Sequence, residues 1–219
     1  MTNKTWLQFL FLLAIFSGIF NRAQAGDDTF RYPFYIGASG GYGSTTWGGL
    51  VPPGSKSNSA LALSTPIRVS EGGGTWGFIG GYEFIPAFAV ELGYFRYPNA
   101  SVFFSKRSLF SYRHHGQVEF TTSTEDVSLS GKIQLIIPRT TIRAFSSFGI
   151  AGVHRWDTLA NRWRASPTFS AGLNYNLTSH IMAELGANYT GGYGESELTP
   201  SDDYVPFLYS FFLRLAFRF

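Results

Sequence analysis

The feature that most constrains this chain is an alternation of side-chain character at period two, sustained over eight segments between Pro33 and Phe219. A strand points successive side chains to opposite faces, so this pattern describes a sheet with two unlike surfaces. In the first segment Phe34, Ile36, Ala38 and Tyr42 share one parity, and Tyr35, Gly37, Ser39, Gly41 and Gly43 the other. Trp76, Phe78, Tyr82 and Phe84 then oppose Gly77, Ile79, Gly81 and Glu83, and Phe88, Val90, Leu92 and Tyr94 oppose Ala89, Glu91 and Gly93. The fourth segment sets Val127, Leu129, Ile133 and Leu135 against Asp126, Ser128, Ser130, Lys132 and Gln134; a fifth runs from about Thr141 to Val153. The last three are centred on Phe169–Tyr175, Ile181–Tyr189 and Phe207–Phe219. None keeps a helical period.

The links between segments alternate in length. Those after segments two, four and six are short: Ile85–Ala87, Ile137–Thr140 and Thr178–His180. Those after one, three, five and seven are long, near Ser44–Gly74, Pro98–Thr121, His154–Ala165 and Gly191–Val205. This is the layout of an up-and-down meander with one trimmed end and one elaborated end, as in outer-membrane barrels. The expected fold is all-β: an eight-stranded antiparallel up-and-down transmembrane β-barrel with both termini on the periplasmic side.

The chemistry of the two faces decides between lipid and water. One face is aliphatic and aromatic almost throughout, whereas the other carries glycine, serine, asparagine and a few charges. Charged residues are only 14% of the chain, against roughly 25% in ordinary soluble domains, and aromatics reach 18%. A soluble eight-stranded barrel has its apolar face inside. Here the apolar face would have to lie outside, where water penalises it and lipid requires it. With no cysteine, the chain excludes a disulfide scaffold, a thiolate metal site and a cysteine nucleophile.

Residues 1–25 read as a signal peptide: Lys4 ahead of an apolar run from Trp6 to Phe20, then Ala23-Gln24-Ala25 as a cleavage site before Gly26. Residues 26–219 form the expected barrel domain. Removing the leader takes Lys4 and Arg22, leaving 15 basic against 14 acidic residues. The balance gives no support for a nucleic-acid partner.

Three stretches carry a family resemblance. Gly80-Gly81-Tyr82-Glu83-Phe84-Ile85-Pro86-Ala87-Phe88-Ala89-Val90-Glu91-Leu92-Gly93-Tyr94 resembles the second hairpin of small outer-membrane barrels related to opacity proteins and the OmpA transmembrane domain. Pro167 to Leu177 looks like the sixth strand of that family. Residues 212–219 are similar to a C-terminal assembly signal, with Leu215, Phe217 and Phe219 at its alternate positions. The resemblance implies a Gram-negative outer-membrane location, insertion by the outer-membrane assembly machinery, and no catalytic residues or cofactor.

An eight-stranded barrel is just wide enough for its interior to fill with side chains. Glu83, Glu91, Lys132, Arg143, Glu184, Arg214 and Arg218 have the inward parity. Counted from the short turns, Glu91 and Lys132 lie at similar heights on adjacent strands, as do Glu184 and Arg214. Buried charges are costly unless paired, so Glu91–Lys132 and Glu184–Arg214 contacts are expected, acting as a plug rather than an ion gate.

Function must then sit in the long loops. Loop two holds Lys106, Arg107, Arg113, His114 and His115, and loop three holds Arg155, Arg162 and Arg164 beside Trp156 and Trp163. Loop four is acidic, with Glu195, Glu197, Asp202 and Asp203. Arginine forks suit phosphate, so candidate ligands are lipopolysaccharide or an acidic host-surface polymer. The blander reading pairs these bases with loop four and the membrane surface. The expected role is structural or surface-interactive, covering envelope integrity, adhesion and immune evasion. The alternatives are a small-conductance ion or water channel and, third, a lipid A-modifying enzyme. His154 has Trp156 rather than a hydroxyl two residues on, and His114 with His115 lacks a third metal ligand at suitable spacing.

Overall fold

The structure is a computed structural model that describes residues 32–52, 61–138, 140–193 and 204–219. The expected leader and the acidic residues of loop four lie outside the described residues. The strands are β1 (Phe34–Thr45), β2 (Arg68–Ser70), β3 (Gly73–Ile85), β4 (Phe88–Arg96), β5 (Ala100–Phe103), β6 (Glu119–Ile136), β7 (Ile142–Trp156), β8 (Asn161–Asn176), β9 (Ile181–Thr190) and β10 (Leu208–Arg218).

Eight of these close on themselves. Each sequential neighbour in the ring β1–β3–β4–β6–β7–β8–β9–β10 pairs antiparallel, and β10 returns to β1 with Tyr35 opposite Arg218. Closure leaves no strand edge in the membrane, so the backbone is satisfied without water. At the periplasmic end Phe219 N donates to Phe34 O at 2.9 Å, which ties the last strand to the first. The eight-stranded antiparallel barrel expected from the alternation is the fold observed.

The parity rule holds strand by strand. On β10, Tyr209, Phe211, Leu213, Leu215 and Phe217 face outward while Ser210, Phe212, Arg214, Ala216 and Arg218 are buried. Aromatic pairs gather towards the two ends of the apolar band. Phe34 meets Tyr82 at 4.6 Å near the periplasmic end, and Trp76 meets Tyr94 at 5.8 Å near the other. These are the interfacial girdles of a transmembrane barrel. Inside, Gly81 makes room for Tyr35: a Cβ there would lie 2.3 Å from the tyrosine ring.

The outer end departs from the sequence reading. The stretch His154–Ala165, expected as a long loop, is mostly strand, because β7 and β8 continue outward in register and turn only at residues 157–160. The alternation there had been hidden by aromatic and charged side chains on both parities. β6 is 18 residues long and likewise outruns β4, so β5 takes over as its partner and β2 adds to β5. A short helix, Leu109–Arg113, follows, its N-terminus capped by Ser108 Oγ accepting from Ser111 N.

Candidate functional site

The barrel interior contains two ion clusters at different heights. In the upper one Lys132 Nζ lies 2.8 Å from Glu91 Oε1 and also contacts Glu184 Oε1, while Arg214 Nη1 lies 2.7 Å from Glu184 Oε2 and 3.3 Å from Glu91 Oε2. The structure thus brings all four residues into one closed square, not two separate pairs. Tyr35 OH donates to Glu91 at 2.7 Å and Asn174 Nδ2 donates to Glu184 at 2.8 Å. Nearer the periplasm, Glu83 accepts from Arg143 Nη1 at 2.9 Å and from Arg218 Nη2 at 2.8 Å.

Several of these contacts cross the lumen between strands that are not neighbours, such as β6 to β9 and β3 to β7. A strand-by-strand register count has no access to them. Every member is buried, and the low dielectric makes both the attraction and the cost of losing a partner large. The free space beside the upper cluster is a cavity of ≈ 20 Å³ lined by Ser130, Ser147, Ser170, Thr168, Glu91 and Arg214 among others. That is room for about one water molecule.

Asp126 is a lumenal charge that its parity should have flagged. It is 1% exposed, it faces the Tyr97 hydroxyl, and it has no ion-pair partner among the described residues. Thr122 and Thr124 also bury hydroxyls without a hydrogen-bond partner in the protein.

Above it, the first, second and fourth connections meet in an apolar cap formed by Trp47, Leu50, Ala100, Val102, Phe104, Phe110, Phe120 and Tyr204, and Leu159 of the third packs against it. Trp47 is fully buried and meets the Tyr204 and Phe120 rings at 4.8 and 5.7 Å. Tyr204 OH donates to Thr46 O at 2.7 Å. Glu71 accepts from Trp47 N at 2.7 Å and Gly48 N at 3.1 Å, fixing the first connection. Burial raises the Glu71 carboxyl above its ordinary pKa, although these backbone donors oppose the shift.

The candidate basic residues divide between inside and outside. Arg155 is turned inward: its Nε donates to Asp157 Oδ2 at 2.6 Å, its Nη1 to Tyr204 O at 2.7 Å, and its guanidinium covers Trp47. It is 1% exposed and so part of the cap rather than a contact for an outside ligand. Lys106, Arg107, Arg113 and Arg164 are exposed and Arg162 is half-buried. The first three share one connection with Tyr112, which is 88% exposed. Leu215, Phe217 and Phe219 lie on the outer wall at the end of the last strand. Among the described residues no three His, Asp or Glu side chains gather as a metal site.

A closed eight-stranded barrel with an apolar outer band, aromatic girdles and a charge-filled lumen defines an integral outer-membrane protein of a Gram-negative bacterium. Residues 10–218 match the model of the outer membrane protein beta-barrel domain, and the chain belongs to that family. No curated protein matches it in sequence.

Among solved structures it is similar to the outer membrane protein OprG of Pseudomonas aeruginosa, with a TM-score of 0.52 and 12% identity. That match covers 85% of this chain and 97% of OprG. Neisserial surface protein A gives a TM-score of 0.49 at 11% identity, covering 85% of this chain and 97% of that one. The N-terminal barrel of Pseudomonas aeruginosa OprF gives 0.47 at 13%, covering 86% and 98%. At this identity the likeness to OprG speaks for the fold alone.

Proposed function

We propose that this barrel acts through its outer surface and not through its lumen, in envelope integrity or in contact with material outside the cell. The observation that carries the reading is the lumen itself. Glu91, Lys132, Glu184 and Arg214 neutralise one another across its whole width, and a packed cap sits above them. A hydrated ion would have to break several buried contacts at once, each costing on the order of 3–5 kcal/mol when one partner is lost.

The group assigned to recognition is the exposed basic connection carrying Lys106, Arg107 and Arg113 beside Tyr112. Its chemistry suits an acidic polymer at the cell surface. We assign the protein no catalytic role: the partners of the His154 ring nitrogens are Glu125 at 3.0 Å and Asn161 at 2.8 Å, with an amide where a triad would place its hydroxyl nucleophile. In this reading residues 1–25 are cleaved on export, and Leu215, Phe217 and Phe219 are read by the assembly machinery.

The test is retention of surface-displaying cells on a heparin matrix, used as a model polyanion. Wild type should be retained, and a K106Q/R107Q/R113Q variant of equal surface abundance should elute at clearly lower salt. Equal elution of the two would overturn the loop assignment.

A further inference from the structure

One row of residues on the outer wall does not belong to a lipid-facing surface. Following the register across five strands, Trp76, Arg96, Glu125, His154 and Trp163 stand side by side on β3, β4, β6, β7 and β8. All have the outward parity. The two rows below on the same wall, Phe78–Tyr94–Val127–Gly152–Ala165 and Gly80–Leu92–Leu129–Ile150–Pro167, are free of charge. Directly above stand Ser123, Trp156 and Asn161, and beyond them the polar groups continue, with Ser123 Oγ donating to Asn99 Oδ1 at 2.8 Å and Ser101 paired with Thr121 at 3.2 Å.

The row is organised around Glu125. Tyr94 OH donates to it at 2.7 Å, His154 Nδ1 lies at 3.0 Å and Arg96 Nη1 at 3.7 Å. The Arg96 guanidinium lies over Trp156 at 4.3 Å, and the His154 ring stacks on Trp163 at 4.5 Å with 2° between planes. Trp163 is 53% exposed, so the indole is held in place on one side and open on the other. Among the outward-parity positions of the eight barrel strands, the Asp, Glu, Lys, Arg and His residues are Arg96, Glu119, Glu125 and His154, all on β4, β6 and β7. The β1, β9 and β10 wall carries none.

Charge on the lipid face costs about 2–4 kcal/mol at the midplane and little at the interface, so this row marks where hydrocarbon ends on this wall. The next layer of an outer leaflet is the sugar and phosphate of lipopolysaccharide. An open indole stacks against sugar C–H faces, Glu125 and Asn161 accept hydroxyls, and a guanidinium with donors to spare bonds phosphate or hydroxyl.

We propose that Arg96, Glu125, Asn161 and Trp163 form a one-sided binding site for the phosphorylated saccharide headgroup of a lipopolysaccharide molecule in the protein's own leaflet. The leaflet is chosen as the source because the apolar rows directly below the site are where the attached acyl chains must lie. The inference rests on the reading of the protein as acting through its outer surface. Its test leaves Lys106, Arg107 and Arg113 untouched, so the two fail separately.

The experiment is native mass spectrometry of the full chain refolded in detergent micelles, titrated with purified lipopolysaccharide, with phosphatidylglycerol and with the deacylated oligosaccharide. Heat-dependent gel migration checks that each variant is folded. Lipopolysaccharide should bind about tenfold or more tighter than phosphatidylglycerol, and R96Q and W163A should each lose about that factor. W163F should recover most of it, and Y209A on the opposite wall should bind as wild type. Unchanged affinity in R96Q and W163A overturns the site, as does equal binding of phosphatidylglycerol. Oligosaccharide binding as tight as that of the intact lipid overturns the assignment to the protein's own leaflet.

Discussion

The guanidinium carbon of Arg155 lies 4.6 Å from the centre of the Trp47 ring, so the third outer connection is clamped onto the first. The same arginine reaches Asp157 and the Tyr204 carbonyl, which joins the fourth connection to them. A barrel of this size needs nothing above its girdles to close. The cap is an added core, stabilised by burial of large aromatic side chains and by one cation–π contact.

Removing the Trp47 side chain should open that core. Trp47→Ala removes a fully buried indole, a change worth about 3–5 kcal/mol in a packed core. The barrel below has its own interactions, so the loss should be local. Amide exchange in residues 46–50, 100–104 and 118–122 should quicken by at least an order of magnitude. Gel migration of the unboiled protein should not move. Unaltered exchange would mean the cap contributes little.

The lumenal square should behave as a unit. Glu184→Gln removes the carboxylate shared by Lys132 and Arg214 and should destabilise the barrel by about 3–5 kcal/mol in urea titrations in lipid vesicles. The pair Glu184→Gln with Lys132→Met should cost less than the sum of the single changes, because contacting charges couple. Additive losses would show that the charges act independently.

Asp126 predicts the opposite sign. A buried carboxylate that faces the Tyr97 hydroxyl but has no ion-pair partner carries a burial cost that an amide does not, so Asp126→Asn should raise the urea midpoint. A lowered midpoint would show that the contact with the Tyr97 hydroxyl outweighs that cost.

The cap should also respond to pH through Glu71. Burial raises its folded pKa above the unfolded one, so its contribution is fully present below the unfolded pKa and is lost as pH rises through the folded value. After correction for intrinsic rates, the Trp47 and Gly48 amides should be better protected near pH 4 than near pH 7. Glu71→Gln should remove the difference, and equal protection at both pH values in wild type would count against the shift.

The barrel was legible because lipid enforces a strict rule. Within the hydrocarbon band the outward positions are almost all apolar, so β9 (Ile181–Thr190) and β10 (Leu208–Arg218) announce themselves. The cap was not legible for the complementary reason: Trp47, Tyr204 and the trio Phe104, Phe110 and Phe120 come from three separate connections and obey no period. Arg155 illustrates this most plainly. Its residue type and loop position suggest an exposed phosphate contact, yet it continues the inward parity of β7, which carries it under Trp47. Asp126 shares the polar parity of Ser128 and Ser130, and it has no cation at its height to mark it as one of a pair. The outer row of Arg96, Glu125 and His154 required the register of five strands, which single-strand patterning does not contain.

Single-channel recording in planar bilayers tests the central claim most directly. With the lumenal square intact, wild-type protein inserted in defined orientation should give no resolved conductance steps at neutral pH, whereas the Glu184→Gln and Lys132→Met pair should show brief openings. Steady, discrete steps from wild type would contradict a lumen plugged by Glu91, Lys132, Glu184 and Arg214.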